Sequence, residues 1–395
     1  MALALHQQHI PCKIYESRSP DAPELASGVV LTPNGLRVLD ALGVFERIKD
    51  RCWKSEYRTY KDDKDETTKK ILVANEQLYG YKNHRIWRRL LLAEMKLMLR
   101  ERDVSITYNA RFGGITEDNG AIVAFRVNSS TERAAMLIGA DGIFSSVRKY
   151  VAPNVEPEYT GVIGNLAHIQ RDKVNWPYPD YEPACTIQGK PGALFMIPED
   201  PQAREIMVGM QIQCPESNRA EWNSLAADKD KLCDFFRKGY GEWHDTARQI
   251  IDRVCEEKEN IYLWPFLRMP KLERWYSASG RVVLLGDGAH AIPASSGQGV
   301  NQALEDVHAL ILLLKGNSNL PEALSIWQRM RQQRIDAVFD WATNATNVMR
   351  MPEAERNRLI QEGKFKDPKS NEDFDDMRWL YSFDCEKEVA ALTKV

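Results

Sequence analysis

Hydrophobic positions recur along this chain with two different periods, which predict helices in some segments and strands in others. In residues 32–42, leucines at helical spacing follow Thr32 and Pro33, a capping residue and a proline at the first helical position. Residues 88–102 form a second predicted helix, which is charged on one side. The apolar side of that helix is predicted to consist of Leu91, Leu92, Met95 and Leu99.

The pattern changes across residues 159–266. Short apolar runs such as 193–197 and 206–210 predict strands separated by turns, so we expect a sheet-rich second domain here. The earlier run 61–70 has mixed charges and no apolar residue, which predicts a solvated hairpin tip or loop. From residue 321 onward the chain is predicted to be helical and polar.

Two further predicted strands each lead into an acidic residue. Residues 136–139 lead to Asp141, and residues 282–285, which are apolar on both faces as in a buried parallel strand, lead to Gly286 and Asp287. A glycine at that point lets a ligand approach the backbone closely. The aspartate that follows can accept hydrogen bonds from ligand hydroxyl groups.

The second of these strands is followed by a glycine loop, Gly297-Gln298-Gly299, which is predicted to open a helix from about Val300. Free backbone N–H groups and the positive end of the helix dipole lie at a helix N-terminus, and together they suit an anion. Taken alone, each strand–turn–helix segment is equally compatible with an ordinary turn in which Asp or Ser caps the helix.

Composition narrows the possible functions. The chain has 53 Lys and Arg against 56 Asp and Glu, a net charge of −3, which argues against a generally basic, nucleic-acid-coating protein. No apolar run approaches the roughly 20 residues that span a bilayer. The seven cysteines form no Cys-x-x-Cys pair, so we expect reduced thiols, a cytoplasmic location and no metal site.

Taken together, the acid-ended segments resemble a known family. The sequence GADG at 139–142 with Ser145 and Arg148, then GD at 286–287 and GQGxN at 297–301, is similar to the class A flavoprotein monooxygenases. This is the family of para-hydroxybenzoate hydroxylase and salicylate hydroxylase, and the resemblance covers nearly the whole chain. The resemblance implies an α/β fold, in which a Rossmann-like FAD-binding domain is interleaved with a sheet-rich substrate domain and followed by a C-terminal helical segment.

The end of the chain, with WLY at 379–381 and DxEK at 384–387, looks like the fungal branch of that family, which serves secondary metabolism and aromatic degradation. The resemblance and the composition changes together predict how the domains are divided. They are a discontinuous FAD-binding domain (1–55, 81–155 and 275–320), a substrate-binding sheet domain (56–80 and 156–274) and a C-terminal helical region (321–395).

The resemblance implies FAD as the cofactor, with NADH or NADPH as a transient reductant. Glu16, which ends a short predicted strand at 13–16, would bind the adenosine ribose hydroxyls. Arg88, or Arg89 in the neighbouring register, would reach the FAD phosphates and ribityl chain, and Asp287 would bind the ribityl hydroxyls. The other implied cofactor contacts are Gly28 near the flavin, Asp141 and Gly142 near FAD and the nicotinamide nucleotide, Gly286, and the backbone of Gly299, Val300 and Asn301 at the flavin's pyrimidine edge.

The resemblance also implies that the oxygenating agent forms on the flavin, so no catalytic triad is required. His290 is interpreted as a residue that caps or packs in its turn, and no catalytic residue is assigned. The substrate pocket is expected over the flavin, where an apolar, aromatic or polyketide-like molecule would meet dioxygen. The candidate substrate-binding residues are Phe195, Met210, Trp264 and Phe266.

The chain departs from the family at its start. The family begins with a strand and a Gly-x-Gly-x-x-Gly turn that holds the pyrophosphate, whereas residues 1–8 here match the second half of the helix after that turn. Either the N-terminus is wrongly assigned in the gene model, or the chain is truncated and its affinity for FAD is in doubt.

The leading hypothesis is an FAD-dependent monooxygenase. The alternatives are a reductase or dehydrogenase of the same superfamily, which would consume no dioxygen, and an inactive truncated homologue.

Overall fold

The computed structural model describes residues 1–23, 27–316, 319–342, 351–363 and 377–393. Parts of the predicted C-terminal helical region therefore lie outside the described residues. The predicted α/β fold class is confirmed, since the structure combines sheet-rich segments with helices along the chain. Within the described ranges, no helix combines the length and the apolar character needed to cross a membrane.

The strands, in chain order, are β1 (Ile14–Tyr15), β2 (Gly28–Leu31), β3 (Trp53–Ser55), β4 (Tyr57–Lys61), β5 (Thr67–Leu72), β6 (Asn83–Trp87), β7 (Ile106–Thr107), β8 (Phe112–Asp118), β9 (Val123–Val127), β10 (Ser130–Ala134), β11 (Leu137–Gly139), β12 (Glu158–Gln170), β13 (Cys185–Gly189), β14 (Gly192–Pro198), β15 (Glu205–Gln213), β16 (Tyr262–Arg268) and β17 (Val282–Leu284).

The helices are α1 (Ala2–Gln7), α2 (Pro33–Ala41), α3 (Phe45–Ile48), α4 (Glu76–Tyr79), α5 (Arg88–Arg100), α6 (Arg148–Val151), α7 (Arg219–Ala227), α8 (Lys229–Arg237), α9 (Asp245–Glu256), α10 (Asp287–His290), α11 (Gly299–Gly316), α12 (Leu320–Trp341), α13 (Glu353–Gln361), α14 (Arg378–Tyr381) and α15 (Cys385–Leu392).

Two short parallel pairs carry the acid-ended segments. Strand β1 pairs with β7, and Glu16 follows β1 directly. Strand β11 pairs with β17, with Ile138 opposite Val283. Because parallel neighbours end at the same edge of a sheet, Asp141 and Asp287 follow their strands at a common edge.

A seven-stranded sheet, called the large sheet below, has the order β16-β12-β15-β14-β13-β4-β5. Its neighbours are antiparallel except for β13 and β4, which are parallel. The hairpin of β4 and β5 comes from residues 57–72, whereas the other five strands come from residues 158–268. Two distant segments of the chain therefore build one sheet. Separate three-stranded sheets have the orders β2-β6-β3 and β10-β9-β8.

The two faces of the large sheet have different neighbours. Ala167, Val208 and Met210 point to one face, where they form a core with the buried residues of α8 and α9. Side chains alternate along a strand, so His168 points to the opposite face, where its ring lies 4.9 Å from that of Trp87 on β6. The second face thus meets the sheet β2-β6-β3. The larger core packs α2, α11 and α12 around β17.

Most predicted elements are confirmed, with local differences in the first two predicted helices. The predicted helix at 32–42 is α2, but the Thr32 hydroxyl donates to Asn34 Oδ1 (2.6 Å) and makes no cap bond to the helix. On α5, Leu91 and Leu99 are buried as predicted, whereas the prediction for Leu92 is wrong, because this side chain is exposed and Met98 is buried.

The charged run 61–70 forms the predicted hairpin, but the prediction of a solvated segment is wrong for its first residue. Lys61 is 1% exposed, and its Nζ donates to the Tyr178 hydroxyl at 2.6 Å. The same ammonium lies 4.5 Å from the ring centre of Tyr181, whose hydroxyl donates to Asp65 (2.8 Å). The two tyrosines and the Asp65 backbone carbonyl, which accepts from Nζ at 3.4 Å, compensate for the burial of the lysine charge.

Candidate active site

The ends of β11 and β17 form the first part of the site. The Leu285 N–H donates to the Gly139 carbonyl at 3.0 Å, which extends the parallel pairing toward the two turns. Arg148, 1% exposed at the start of α6, donates from Nη1 to the Gly288 carbonyl (3.3 Å). The turn that carries Asp141 is therefore connected directly to the turn that carries Asp287.

Asp141 has a local structural role in addition to any ligand contact. Its carboxylate accepts hydrogen bonds from the N–H groups of Ser146 (2.7 Å) and Val147 (3.2 Å), so it caps the turn before α6. Gly142 follows with a φ of 78°, a left-handed conformation that favours glycine. Asp141 is exposed, and its capping bonds fix it beside the site.

Asp287 lies on the wall of a cleft. Its side chain is exposed to solvent although protein surrounds it densely, and this desolvation raises the pKa of its carboxyl, with His290 and Arg88 acting in the opposite direction. Gly286 precedes it with a φ of 56°. A Cβ at Gly299 would lie 3.8 Å from Asp287 Oδ1, which places the carboxylate at the start of α11.

Helix α11 presents unpaired N–H groups to this cleft. Its first helical hydrogen bond runs from Gln302 N to Gln298 O (2.8 Å), so the N–H groups of Gly299, Val300 and Asn301 precede the helical bonding pattern. The Asn301 side chain accepts from Thr32 N (3.0 Å) and donates to Val30 O (3.0 Å). This side chain fixes the start of an 18-residue helix against β2.

Arg88 connects this cleft to the large sheet. It opens α5, and its backbone N–H donates to the Ser27 carbonyl (3.1 Å). Its guanidinium lies 5.8 Å from the ring centre of Trp264. Burial lowers the pKa of Arg88, and the charge of Asp287 partly offsets that effect.

Several buried polar atoms around this cleft have no hydrogen-bond partner among the described residues. They include Ser27 Oγ, Arg88 Nε, Arg148 Nη2 and Ser295 Oγ. A buried polar group without a partner costs free energy, and a ligand bound here could supply the missing partners of these four atoms. Two guanidinium groups, two hydroxyls, a carboxylate and a helix N-terminus fit the phosphates, hydroxyls and heterocycle edge of FAD.

The two remaining residues of the predicted cofactor set have different surroundings. Glu16 lies at the end of β1, and its carboxylate accepts from Arg18 N (2.8 Å). Gly28 opens β2 and donates its N–H to Glu199 Oε1 (3.2 Å). A Cβ at Gly28 would lie 1.9 Å from Glu199 Oε2, so the glycine is required by the approach of this carboxylate.

The candidate substrate residues divide between the two faces of the large sheet. Phe195, Trp264 and Phe266 share the face of His168, and the Phe195 ring lies over Gly209. Met210 points to the opposite face, in the core with α8 and α9. The structure therefore brings three of the four residues together, beside Arg88 and Trp87.

Sequence reasoning did not identify a buried charged cluster on the same face. Glu199 accepts two hydrogen bonds from Arg85, from Nε (3.0 Å) and Nη2 (2.6 Å), and its Oε1 lies 3.1 Å from His168 Nε2. No local motif indicates this cluster, since its members come from β6, β12 and the end of β14. An isolated histidine in a strand pattern gives no signal of its partners.

His290, interpreted from the sequence as a capping or packing residue, is buried and pairs with Asp306 of α11 (Nε2 to Oδ2, 2.5 Å). The same Asp306 oxygen accepts the Gly286 N–H at 3.0 Å. Arg331 of α12 donates from Nε to the other oxygen (2.8 Å). Asp306 therefore stabilises the turn that carries Asp287, through its hydrogen bonds with Gly286 and His290 of that turn.

Within the described part of the chain, no group of three metal-ligating side chains occurs, and all seven cysteines are free thiols.

Comparisons with known proteins find an FAD-binding family and several monooxygenases. A family model described as FAD binding domain matches residues 1–342. The hispidin-3-hydroxylase of Neonothopanus nambi is 28% identical over 367 residues, which cover 85% of this chain and 83% of that protein. The FAD-dependent monooxygenase ptmM of Penicillium ochrochloron is 25% identical over 379 residues, covering 86% and 83%.

A solved structure supports the fold over the whole length. The crystal structure of Klebsiella pneumoniae HpxO complexed with FAD and uric acid aligns with a TM-score of 0.76 and covers 100% of this chain and 92% of that chain. The sequence identity in this alignment is 18%. The likeness therefore shows a shared architecture.

Proposed function

Since this chain belongs to the family defined by the FAD binding domain, we propose that the cleft between Asp287, Arg88 and the start of α11 binds FAD. The chain is an FAD-dependent monooxygenase, an oxidoreductase that uses NAD(P)H to hydroxylate or epoxidise a small aromatic or apolar organic molecule. The observation that carries the proposed site is the side-by-side pairing of β11 and β17, with α11 opening next to Asp287. The cytoplasmic location stays a prediction from the cysteine pattern.

When bound, FAD supplies the redox chemistry, because it takes reducing equivalents from NAD(P)H and activates dioxygen. The tasks of the protein are to bind, to orient and to exclude water. Arg88 and Arg148 would neutralise phosphate charge, while Asp287 would accept hydrogen bonds from ribityl hydroxyls. The unpaired buried atoms of the two arginines support these roles.

The N-terminus of α11 has a distinct electrostatic task. The N–H groups of Gly299, Val300 and Asn301 would hold the electron-rich edge of the heterocycle, and the positive end of the helix dipole would stabilise negative charge there. No lysine or arginine is needed at that edge. Asn301 maintains this arrangement through its bonds to Thr32 and Val30.

We place the substrate between this cleft and the face of the large sheet that carries Phe195, Trp264 and Phe266. Apolar rings on a rigid sheet suit a flat organic molecule, which polar groups then orient. The activity for which the Neonothopanus nambi relative is named, hydroxylation of hispidin, agrees with an aromatic substrate. Dioxygen is the co-substrate, and we propose no nucleic-acid partner.

The first test is an FAD titration of the purified chain followed by flavin fluorescence. We expect saturable, equimolar binding, NAD(P)H oxidation that rises when a hydroxylated aromatic compound is added, and matching oxygen uptake. A protein that carries no yellow flavin colour once the unbound FAD is removed would refute the proposal. NAD(P)H oxidation that reduces the organic compound without oxygen uptake would instead identify a reductase.

The Asp287→Asn variant tests the cofactor site itself. Hydrogen bonds to a charged group contribute about 1.5–3 kcal/mol, so FAD affinity should fall by about tenfold or more. The control is Asp336→Asn, which removes an exposed carboxylate paired with Lys271 (2.6 Å) and should leave FAD affinity unchanged. Equal affinity of the wild type and the Asp287→Asn variant would place FAD elsewhere.

A further inference from the structure

Glu199 is a fully buried carboxylate that lies outside the proposed cofactor contacts. It follows the last residue of β14 and is 0% exposed. Four hydrogen bonds reach it, two from Arg85, one from His168 and one from Gly28 N. A carboxylate so enclosed by donors is held in one position and can fix the orientation of a partner.

The donors determine the charge state of this carboxylate. Burial alone would raise the pKa of Glu199, but the charges and hydrogen bonds of Arg85 and His168 outweigh burial and hold the pKa below its ordinary value. An ionised carboxylate only accepts hydrogen bonds. His168 must therefore carry a proton on Nε2, the nitrogen that lies 3.1 Å from Glu199 Oε1.

The protonated Nε2 leaves a lone pair on Nδ1 when the imidazole ring is neutral. Among the described residues, Nδ1 has no hydrogen-bond partner. Arg85 balances the charge of Glu199, so the cluster has no net charge while His168 is neutral. A histidine oriented by a carboxylate through one nitrogen, with the other nitrogen free, has the arrangement of a general base.

The position of His168 is suited to contact with a substrate. Its ring lies 5.8 Å from that of Tyr262 in a stacked arrangement and 4.9 Å from that of Trp87. Trp87 directly precedes Arg88, and Tyr262 shares the sheet face of Trp264. The imidazole thus lies among the aromatic side chains between the large sheet and the proposed cofactor cleft, with 9% of its side chain exposed.

We propose that His168 accepts, at Nδ1, the hydroxyl proton of a hydroxylated aromatic substrate, and that Glu199 and Arg85 are its positioning residues. This inference rests on the proposed monooxygenase function and adds a named proton acceptor and its positioning residues to it. The substrate O–H bond breaks, its electron pair stays on oxygen, and the proton forms an N–H bond at Nδ1. The resulting imidazolium remains paired with Glu199, and the phenolate oxygen makes the ring richer in electrons.

Other charged groups lie near this histidine. Glu205 on β15 interacts with both His168 and Glu199, and desolvation raises the pKa of its carboxyl. Arg85 and Arg88 both act on Tyr262, whose pKa is raised by burial. No second histidine belongs to this described cluster, so one substitution removes the proposed proton acceptor.

The probe is 4-nitrophenol, whose phenolate has a strong visible absorption band, added to the FAD-loaded protein at a pH equal to the pKa of the free dye. Difference spectra against the FAD-loaded protein report the ionisation of the bound dye. In the wild type we expect mostly bound phenolate. His168→Gln retains an N–H donor for Glu199 but removes the basic nitrogen, so the ratio of bound phenolate to phenol should fall by about tenfold, which is one pKa unit.

Catalysis provides the second readout, in which added 4-nitrophenol stimulates NAD(P)H oxidation. General base catalysis contributes about 10²–10⁴-fold, so His168→Gln should lower the turnover rate kcat by at least about 10²-fold with a small change in KM. Glu199→Gln should show a smaller loss of the same kind. The matched control is Glu94→Gln. Glu94 lies on α5, and its carboxylate is paired with Arg47 (3.3 Å) and Arg51 (2.6 Å).

A measurement on the wild type alone guards against misfolded variants. The methyl ether 4-nitroanisole has no proton to transfer, so it should bind at least about tenfold more weakly than 4-nitrophenol. Equal binding of the two compounds, failure of 4-nitrophenol to bind the FAD-loaded protein, or an unchanged phenolate band in His168→Gln would each overturn the inference. Failure to bind FAD would instead refute the proposed function, so the two failures are distinguishable.

Discussion

Arg148 and Gly288 are connected by a hydrogen bond from guanidinium Nη1 to the carbonyl oxygen, at 3.3 Å. This contact joins the turn after β11 to the turn after β17, two segments far apart in the sequence. The remaining nitrogen of the same guanidinium, Nη2, has no partner among the described residues. One buried arginine thus joins the two turns, and its unpaired nitrogen supports the proposal that it also donates to the cofactor.

Arg148→Lys tests this double role. Lysine keeps the charge but loses the planar fork that donates to both Gly288 and Val155. We expect a loss of about 1–3 kcal/mol in the free energy of unfolding, measured with denaturant, and weaker FAD binding. Arg133→Lys is the control, since its side chain is 70% exposed. Wild-type FAD affinity in a destabilised Arg148→Lys protein would limit this arginine to the structural role.

Ser295→Ala distinguishes a ligand contact from a structural contact. The buried Ser295 hydroxyl has no partner among the described residues, so its removal should leave the stability of the FAD-free protein unchanged or slightly higher. FAD affinity should fall by about fivefold to tenfold, because one neutral hydrogen bond contributes about 1 kcal/mol. The comparison is Ser145→Ala, which breaks the bond to Arg148 N (2.9 Å) and should reduce stability. Unfolding curves and FAD titrations measure both effects.

Gly28→Ala should disrupt the contact between β2 and Glu199. The added Cβ would lie 1.9 Å from Glu199 Oε2 and 2.9 Å from Arg85 Cζ, where both side chains are fully engaged. We expect a destabilisation of about 1–3 kcal/mol, as for overpacked cores. Gly241→Ala is the control, because a Cβ there meets no atom within 4 Å. An unchanged denaturation midpoint for Gly28→Ala would contradict this account.

The Asp306 carboxyl should make stability depend on pH in the acidic range. Burial would raise its pKa, but the charges of His290 and Arg331 outweigh burial and lower the pKa from 3.8 to about 2. A lowered carboxyl pKa adds stability above the unfolded value, and this stability is lost as the pH falls from about 4 to about 2. Asp306→Asn should therefore be less stable by about 2 kcal/mol at neutral pH.

The difference between the wild type and Asp306→Asn should become small toward pH 2, where the wild-type carboxyl is protonated as well. Denaturant unfolding at a series of pH values measures this convergence. An equal difference at every pH would show that Asp306 acts by packing alone. The exposed carboxylate of Asp230, paired with Lys258, supplies a control variant, Asp230→Asn, with little expected effect.

Local patterns were sufficient for the elements that carry the proposed cofactor site. The apolar run at β17 and the glycine loop before α11 are properties of adjacent residues, and both elements lie within a few residues of their predicted bounds. The resemblance to flavoprotein monooxygenases rested on the same segments, and the family is confirmed by the match over residues 1–342. The residue roles within the cofactor site stay predictions.

Other features depended on which distant strands become neighbours. Met210 and Phe195 have equally apolar surroundings in the sequence, but strand register sends Met210 to the helix-covered face and Phe195 to the face toward the cleft. Lys61 looks solvated in its charged run, yet Tyr178 and Tyr181 cover it. A sequence pattern gives the period of a strand but not the identity of the side chains across from it.

The sequence by itself determined the secondary structure, the acid-ended strands and the family, because these depend on interactions between residues close in the chain. The tertiary structure alone decided that Arg85, His168 and Glu199 form one cluster, since a buried charge is stable only when partners from other segments enclose it. Enclosure depends on the register and packing of three separate strand segments, which no local pattern encodes.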